Sequence, residues 1–363
     1  MNSETTTSGQ LHLSQRTVRT PRLTTNIWVA GPEDGTPLLL VHGNMSTGGF
    51  WEYVAKELPD SVRVIAPDLR GFGATDPLPV DATRGLGDMV DDVRSLLEQR
   101  GLTGQQRVHT VGWSLGAGVL QQYALAYPDD LATMTWVAPV SPYGYGGTKD
   151  TAGTWCHDDA AGSGAGIANP AVVQRLADKD ASADGTQTSP RHVMVSLYGP
   201  GQNAANVDEE FLVQQLLTTV TGVDNYPGDA LESPNWPMAA PGTKGVLNTI
   251  SPKYFNTSAL VGLGRKPPIT WVHGGCDQVI GDQALLDLAT LGMLEVIPGW
   301  PGEQVMPPQP MESQTRAVLE AYADGGGAVL EVAMPDAAHG IPLSHPGQLA
   351  QHILVTVHQA GQA

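Results

Sequence analysis

The sequence predicts an α/β protein on a mostly parallel, doubly wound sheet, with one long segment inserted between two of its strands. Three observations carry this. Apolar runs and helical periods alternate strictly from about residue 36 to residue 138. The alternation then lapses for roughly 125 residues, the size of a small inserted unit, and resumes at Ile269. Between these limits, Val108-His109-Thr110-Val111 runs directly into Gly112-Trp113-Ser114-Leu115-Gly116, which reads as strand, sharp turn and helix.

Residues from about Leu11 to Ala30 alternate in the manner of two short antiparallel strands at a sheet edge. Pro37-Leu38-Leu39-Leu40-Val41 is continuously apolar, as a strand buried on both faces must be. A helical stretch from about Gly49 to Leu58 follows, then a second buried strand, Val62 to Pro67. Leu86, Met89, Val90, Val93, Leu96 and Leu97 recur at helical spacing with Asp and Arg between them. After the strand and turn at Ser114 come a helix to about Tyr127 and a strand over Ala132–Ala138. From Ser141 to Lys266 the chain is rich in Gly, Ala, Pro, Asn and Asp, with weak helical periods only at 171–177 and 209–220. Ile269–His273 and Val329–Ala333 are strands again, and Gly347–Gln359 is a closing amphipathic helix. Residues 1–140 and 267–363 are therefore expected to form one core, and 141–266 a cap on it. A second irregular stretch, Gly292–Pro310, carries five prolines and reads as an ordered loop near the mouth of the site.

Bulk properties narrow the function. At 363 residues the chain can bury a large core without disulfides or metals. A net charge of −18 disfavours nucleic acids and anionic membranes, which both require clustered Lys and Arg. Met1–Gln10 shows no secretory pattern and no run suits a membrane span, so a cytoplasmic protein is expected. Cys156 and Cys276 are read as reduced. A preference for Arg over Lys and abundant Ala and Gly suggest a bacterial gene. The expected partner is a small-molecule substrate, with no nucleic acid and no membrane, and the protein a monomer or homodimer.

Gly112 and Gly116 flank Ser114 because a Cβ at either position would strike the neighbouring strand or helix. A serine hydroxyl used as a nucleophile needs a base, and the base an acid that fixes its tautomer. In an open parallel sheet, reacting groups gather beyond the carboxyl ends of strands. His339 follows the Val329–Ala333 strand and Asp277 follows Ile269–His273, which makes them the expected base and acid; Asp282 and Glu303 are rivals for the acid. His109 and His273 fall inside strands, where packing is the expected role, and His352 and His358 lie on the last helix. The oxyanion donors are expected to be the backbone N–H groups of Leu115 and Asn44, with Met45 as the alternate, since Gly43 lets that loop approach closely. The His42 side chain is read as a prop for the loop. No His/Asp cluster has metal-ligand spacing.

Together, Leu38-Leu39-Leu40-Val41-His42-Gly43-Asn44, Asp68-Leu69-Arg70-Gly71-Phe72-Gly73, Gly112-Trp113-Ser114-Leu115-Gly116, Asp277 and His339-Gly340 resemble the α/β-hydrolase superfamily over residues 25–138 and 267–358. The resemblance implies an eight-stranded, mostly parallel sheet, a lid after the sixth strand and no cofactor. The Asp68–Gly73 stretch is similar to that of capped members such as epoxide hydrolases and haloalkane dehalogenases, but those use an aspartate nucleophile where this sequence has Ser114. Two departures stand out: the cap is larger than usual and Gly292–Pro310 lengthens the connection from Asp277 to His339. The expectation is a Ser-His-Asp hydrolase of a carboxylic ester or lactone, medium-sized and partly apolar. An amide or peptide bond, or a C–C bond, is open to the same three groups, and a non-catalytic ligand-binding member is the remaining alternative. Substrate contacts are expected from Met45, Trp113, Trp155, Tyr198 and Trp236.

Overall fold

The computed structural model describes residues 10–199 and 201–360; the stretch Met1–Gln10, read above for its lack of a secretory pattern, lies outside them apart from Gln10. Eight strands form the main sheet: β1 (Ser14–Arg19), β2 (Thr24–Ala30), β3 (Thr36–Val41), β4 (Val62–Pro67), β5 (Val108–Trp113), β6 (Leu131–Val137), β7 (Ile269–Gly274) and β8 (Val329–Met334). Their order is β1-β2-β4-β3-β5-β6-β7-β8. β2 runs antiparallel to both of its neighbours, and every other pairing is parallel. This is the expected doubly wound sheet with an antiparallel margin.

Central strands are buried on both faces for the reason the sequence suggests: Leu38, Leu39, Leu40 and Val41 of β3 are all within 2% of full burial. The longer helices either cover the two faces or lie in the inserted segment. They are α1 (Gly87–Gln99), α2 (Leu115–Ala126), α3 (Pro170–Ala177), α4 (Pro190–Tyr198), α5 (Glu209–Leu216), α6 (Met311–Asp324) and α7 (Pro346–Ala360). α6 follows the proline-rich stretch directly and buries Met311, Thr315, Val318, Leu319 and Tyr322, a helical spacing along one face. It is an element the sequence reading left out.

Between β6 and β7 lie α3, α4, α5 and two small two-stranded ribbons. Side-chain polar groups knit this segment together. Asn248 Nδ2 donates to the carbonyls of Asp229 (2.7 Å) and Lys244 (2.7 Å), and its Oδ1 accepts from Ala165 N–H at 2.8 Å. Two buried glutamines then tie the first residues of the segment to the stretch before α6 and to α6 itself. Gln309 accepts from Gly146 N–H (2.6 Å) and donates to Gly144 O (3.0 Å) and Gln314 Oε1 (2.8 Å). Gln314 in turn accepts from Ser141 Oγ at 2.6 Å and donates to Thr148 Oγ1 at 2.9 Å.

Candidate active site

Ser114 stands at the junction of β5 and α2 with φ of +56°. A left-handed backbone is uncommon for a residue with a side chain and persists only where packing imposes it. Packing does so here. A Cβ on Gly116 would lie 2.2 Å from Val41 O, and one on Gly112 would lie 2.5 Å from Gly116 O, so strand and helix meet in direct backbone contact. Ser114 N–H is spent on Val137 O of β6 at 2.9 Å, which pins the turn to the neighbouring strand. Leu115 is the first residue of α2, so its N–H has no acceptor within the helix and is free for an incoming oxygen.

The loops after β7 and β8 meet. His339 Nδ1 and Asp277 Oδ2 are 2.8 Å apart, both side chains almost fully buried. The other carboxylate oxygen of Asp277 accepts from the N–H groups of Val279 (2.7 Å) and Ile280 (3.0 Å). With both oxygens committed, the carboxylate can turn in only one way, and its bond to Nδ1 leaves Nε2 as the imidazole atom able to accept a proton. That Nε2 is buried and has no hydrogen-bond partner among the described residues. Trp113 brings the ring to the elbow: its indole N–H donates to His339 O at 2.8 Å, and the two ring centroids are 5.8 Å apart. Ser114 makes no side-chain hydrogen bond to His339 in this structure; such contacts commonly tighten only once substrate is bound.

The rivals for the acid are occupied elsewhere. Asp282 Oδ1 accepts from Ser313 N–H at 2.9 Å at the start of α6, and Glu303 is exposed. Among the other histidines, His109 bonds Thr133 Oγ1 at 2.9 Å within the sheet. His273 lies between Glu331 (3.0 Å) and Glu312 (3.4 Å).

The loop after β3 carries the second half of the site. His42 Nδ1 faces Gly43 O at 2.7 Å and its Nε2 accepts from Leu69 N–H at 2.9 Å. Burial lowers its pKa to about 4, so the ring stays neutral and serves as a strut between the loops after β3 and β4. A Cβ on Gly43 would lie 3.2 Å from Ser114 Cβ, which shows how closely this loop approaches the elbow. Met45 also has a positive φ, +48°, and Asn44 Oδ1 is buried without a partner among the described residues.

Asp68 anchors the same region. Its carboxylate accepts from Asn26 Nδ2 (2.7 Å), Trp28 Nε1 (3.0 Å), Gly48 N–H (2.8 Å) and Ala74 N–H (3.1 Å). Burial raises its pKa, although these donors pull the other way. Arg70, in the same loop, pairs with Asp92 of α1 through Nε at 2.6 Å and Nη2 at 2.9 Å, fastening the loop to that helix.

The residues expected to touch substrate fall into two groups. Met45, Trp113 and Tyr198 are buried; Trp113 and Tyr198 pack against the His339 ring, and Phe50 joins them, 6.1 Å from Trp113 and 6.4 Å from Tyr198 between ring centroids. Trp155 is 36% exposed, and Trp236 donates its indole N–H to Pro298 O at 3.0 Å, joining the inserted segment to the proline-rich stretch. Two groups near the site went unread in the sequence. Tyr145 is held far above the ordinary tyrosine pKa by burial and by the charges of Asp287 and Asp277. Asp287 is pushed up to about 6 by burial, while Oδ1 and Oδ2 accept the N–H groups of Ala289 and Gln309. Neither sits at a strand end, so no positional signal marked them.

A sequence model described as the alpha/beta hydrolase fold matches residues 36–306. The chain belongs to that family. Curated members similar to it include a cis-3-alkyl-4-alkyloxetan-2-one decarboxylase of Xanthomonas campestris, 33% identical over 121 residues, or 31% of this chain and 40% of that protein. A pimeloyl-[acyl-carrier protein] methyl ester esterase of Aeromonas hydrophila is 33% identical over 104 residues, 29% of this chain and 38% of that protein. The chain thus spans about two-fifths of the length of the curated relatives it matches. Among solved structures, an esterase from a Rhodococcus species shares the fold with a TM-score of 0.59 at 18% identity, covering 95% of this chain and 98% of that one. A bromoperoxidase from Bacillus anthracis does so with a TM-score of 0.60 at 19% identity, covering 95% and 100%. No described helix is long and apolar enough to cross a membrane. Among the described residues no group of three or more His, Cys, Asp and Glu could hold a metal ion.

Proposed function

We propose that the protein is a serine hydrolase acting on a carboxylic ester or lactone of a small, partly apolar molecule. In this reading Ser114 attacks the carbonyl carbon and His339 Nε2 takes its proton. Asp277 holds the imidazole and stabilises the imidazolium. His339 then returns the proton to the leaving oxygen, and water, activated by the same ring, releases the acyl group from Ser114. The observation that carries it is the 2.8 Å bond between His339 and Asp277, with the opposite ring nitrogen unpartnered among the described residues and the ring packed against Trp113, the neighbour of a serine held at positive φ.

The oxyanion donors in this reading are the N–H groups of Leu115 and Asn44. Asn44 is preferred to Met45 because the Asn44 carbonyl accepts the Tyr198 hydroxyl at 2.7 Å. A trans peptide sets its C=O and N–H on opposite edges, so the Met45 N–H is directed away from Tyr198 and the rings around His339. An oxygen leaving group is favoured because it asks least of the site. The names of two relatives support it: one carries a methyl ester and the other an oxetan-2-one, which is a cyclic ester. Residues 141–266 act as the cap, closing over the site and excluding water from it.

The test is labelling with a fluorophosphonate, followed by turnover on a panel of short and long acyl esters, lactones, amides and β-diketones. The wild type should be labelled on Ser114 and should turn over esters or lactones. Ser114→Ala should lose both properties while unfolding at the same temperature. Undiminished turnover by that variant would remove Ser114 from the mechanism.

A further inference from the structure

Tyr198 is the last residue of α4 and the point at which the cap touches both halves of the site. Its hydroxyl donates to Asn44 O in the loop after β3, 154 residues away in sequence. Its ring lies 5.8 Å from that of His339, tilted by 34°, and packs edge-on against Trp113 at 5.1 Å. Its backbone is equally committed. A Cβ on Gly340, the residue after His339, would lie 2.5 Å from Tyr198 O, so the end of α4 rests directly on the loop that carries the base. Tyr198 is 4% exposed, which leaves little of its surface for a ligand.

The bond to Asn44 O matters because of what the peptide can do without it. Met45 holds a positive φ, a strained conformation that relaxes unless something opposes it. The Asn44–Met45 peptide is thus a unit with an incentive to flip, which would exchange its carbonyl for the Met45 N–H and loosen the backbone next to the Asn44 N–H of the preceding peptide, and the Tyr198 hydroxyl is the described group that holds its carbonyl. Burial raises the tyrosine pKa far above its ordinary value, so the hydroxyl remains a donor throughout the working pH range.

We propose that Tyr198 is a positioning residue through which the cap makes the site competent: its hydroxyl fixes the oxyanion loop and its ring fixes the plane of the His339 imidazole. The proposal rests on the serine-hydrolase reading above and adds to it a requirement for the docked cap. In this role Tyr198 stabilises the transition state without contributing to substrate binding, which sets it apart from a substrate contact.

The experiment compares wild type, Tyr198→Phe and Tyr198→Leu on one ester substrate and with an alkyl boronic acid, whose tetrahedral serine adduct presents an oxygen to the oxyanion donors. Tyr198→Phe keeps the ring and loses the hydroxyl. It should lower kcat about 10- to 100-fold, the scale of one lost positioning contact at an oxyanion site, with KM within threefold of wild type. Boronate affinity should fall in parallel with kcat/KM, and the melting temperature should stay close to that of wild type. Tyr198→Leu should lose further activity as the imidazole is freed, and Phe should recover part of that loss. If Tyr198→Phe raises KM at unchanged kcat, Tyr198 is a substrate contact and the proposal is overturned. It is equally overturned if that variant matches wild type within twofold in kcat and boronate affinity. Failure of the wild type itself to bind the boronate or to be labelled at Ser114 would instead overturn the serine-hydrolase reading.

Discussion

The elbow at Ser114 and the described residues between Ser141 and Lys266 both reach His339, through Trp113 and Tyr198, yet backbone and side-chain contacts hold them in different proportions. At the elbow, backbone touches backbone: Gly116 faces Val41 O, Gly112 faces Gly116 O, and Ser114 N–H bonds Val137 O. These contacts leave no room for adjustment, because interiors are packed to crystal density and a misplaced methyl must displace main chain. The inserted segment has close backbone contacts too, as where Gly146 faces Gly162 O, but it adds amide and carboxylate side chains reaching across long loops, with Asn248, Gln309 and Gln314 each making three or more hydrogen bonds. Such bonds contribute only about 0.5–1.5 kcal/mol each in net terms, and they break one at a time. The contrast separates a rigid turn at Ser114 from an inserted segment whose side-chain bonds can break locally without unfolding the core.

The sharpest way to break the comparison is Gly116→Ala. Its methyl would enter the space of Val41 O, so the β3–α2 contact must separate, at a cost of about 3 kcal/mol or more. A large fall in melting temperature together with loss of fluorophosphonate labelling is expected. A variant with wild-type stability would mean that the elbow tolerates movement after all.

Asn248→Ala probes the other side with a smaller effect. It strands the Ala165 N–H and frees the Asp229 and Lys244 carbonyls, at a cost of about 2 kcal/mol. Hydrogen exchange should accelerate within residues 160–250 and stay unchanged in β3, β5 and β6. Uniform acceleration across both regions would merge the two into one cooperative unit and sink the distinction.

The smallest effect is one of pH, at the strand that leads to Asp277. Burial alone would lower the His273 pKa, but Glu312 and Glu331 together outweigh it and the net shift is upward. A raised folded pKa means the folded state binds the extra proton more tightly than the unfolded chain does. The stabilisation is therefore fully present below the ordinary histidine value near pH 6.5 and is lost as pH rises through the higher folded pKa. Melting temperature should drift down across that window in wild type, and Glu331→Gln should flatten the drift. An identical drift in the variant would assign it to other groups.

How much could be read without coordinates follows the same division. The strands β3, β4, β5 and β7 announce themselves as apolar runs because a strand covered on both faces has no polar side to show. The glycines around Ser114 announce the elbow because only steric exclusion of Cβ explains them. Asp277 and His339 were named from their positions after strands, since the topology of a parallel sheet brings such loops to one rim. α4 went unread because its length of nine residues and its modest apolar stripe are outweighed by the surrounding polar and glycine-rich sequence. α6 carried a legible period at Met311, Thr315, Val318 and Tyr322, which the preceding prolines masked. The short ribbons between Thr221 and Pro241 have no pattern of their own, being two or three residues per strand.

Local sequence determined what depends on neighbours in the chain: strand burial, the turn at Ser114, and the spacing that puts a carboxylate and an imidazole after consecutive strands of the sheet. The tertiary structure alone decided what depends on a partner far away in the chain. It gave Asp277 its fixed orientation, left His339 Nε2 without a partner among the described residues, and set Tyr198 against Asn44 across 154 residues. The physical reason is that steric and hydrophobic rules act residue by residue and leave a pattern in the sequence. A hydrogen bond between distant side chains leaves no trace in either residue until the fold has brought the two together.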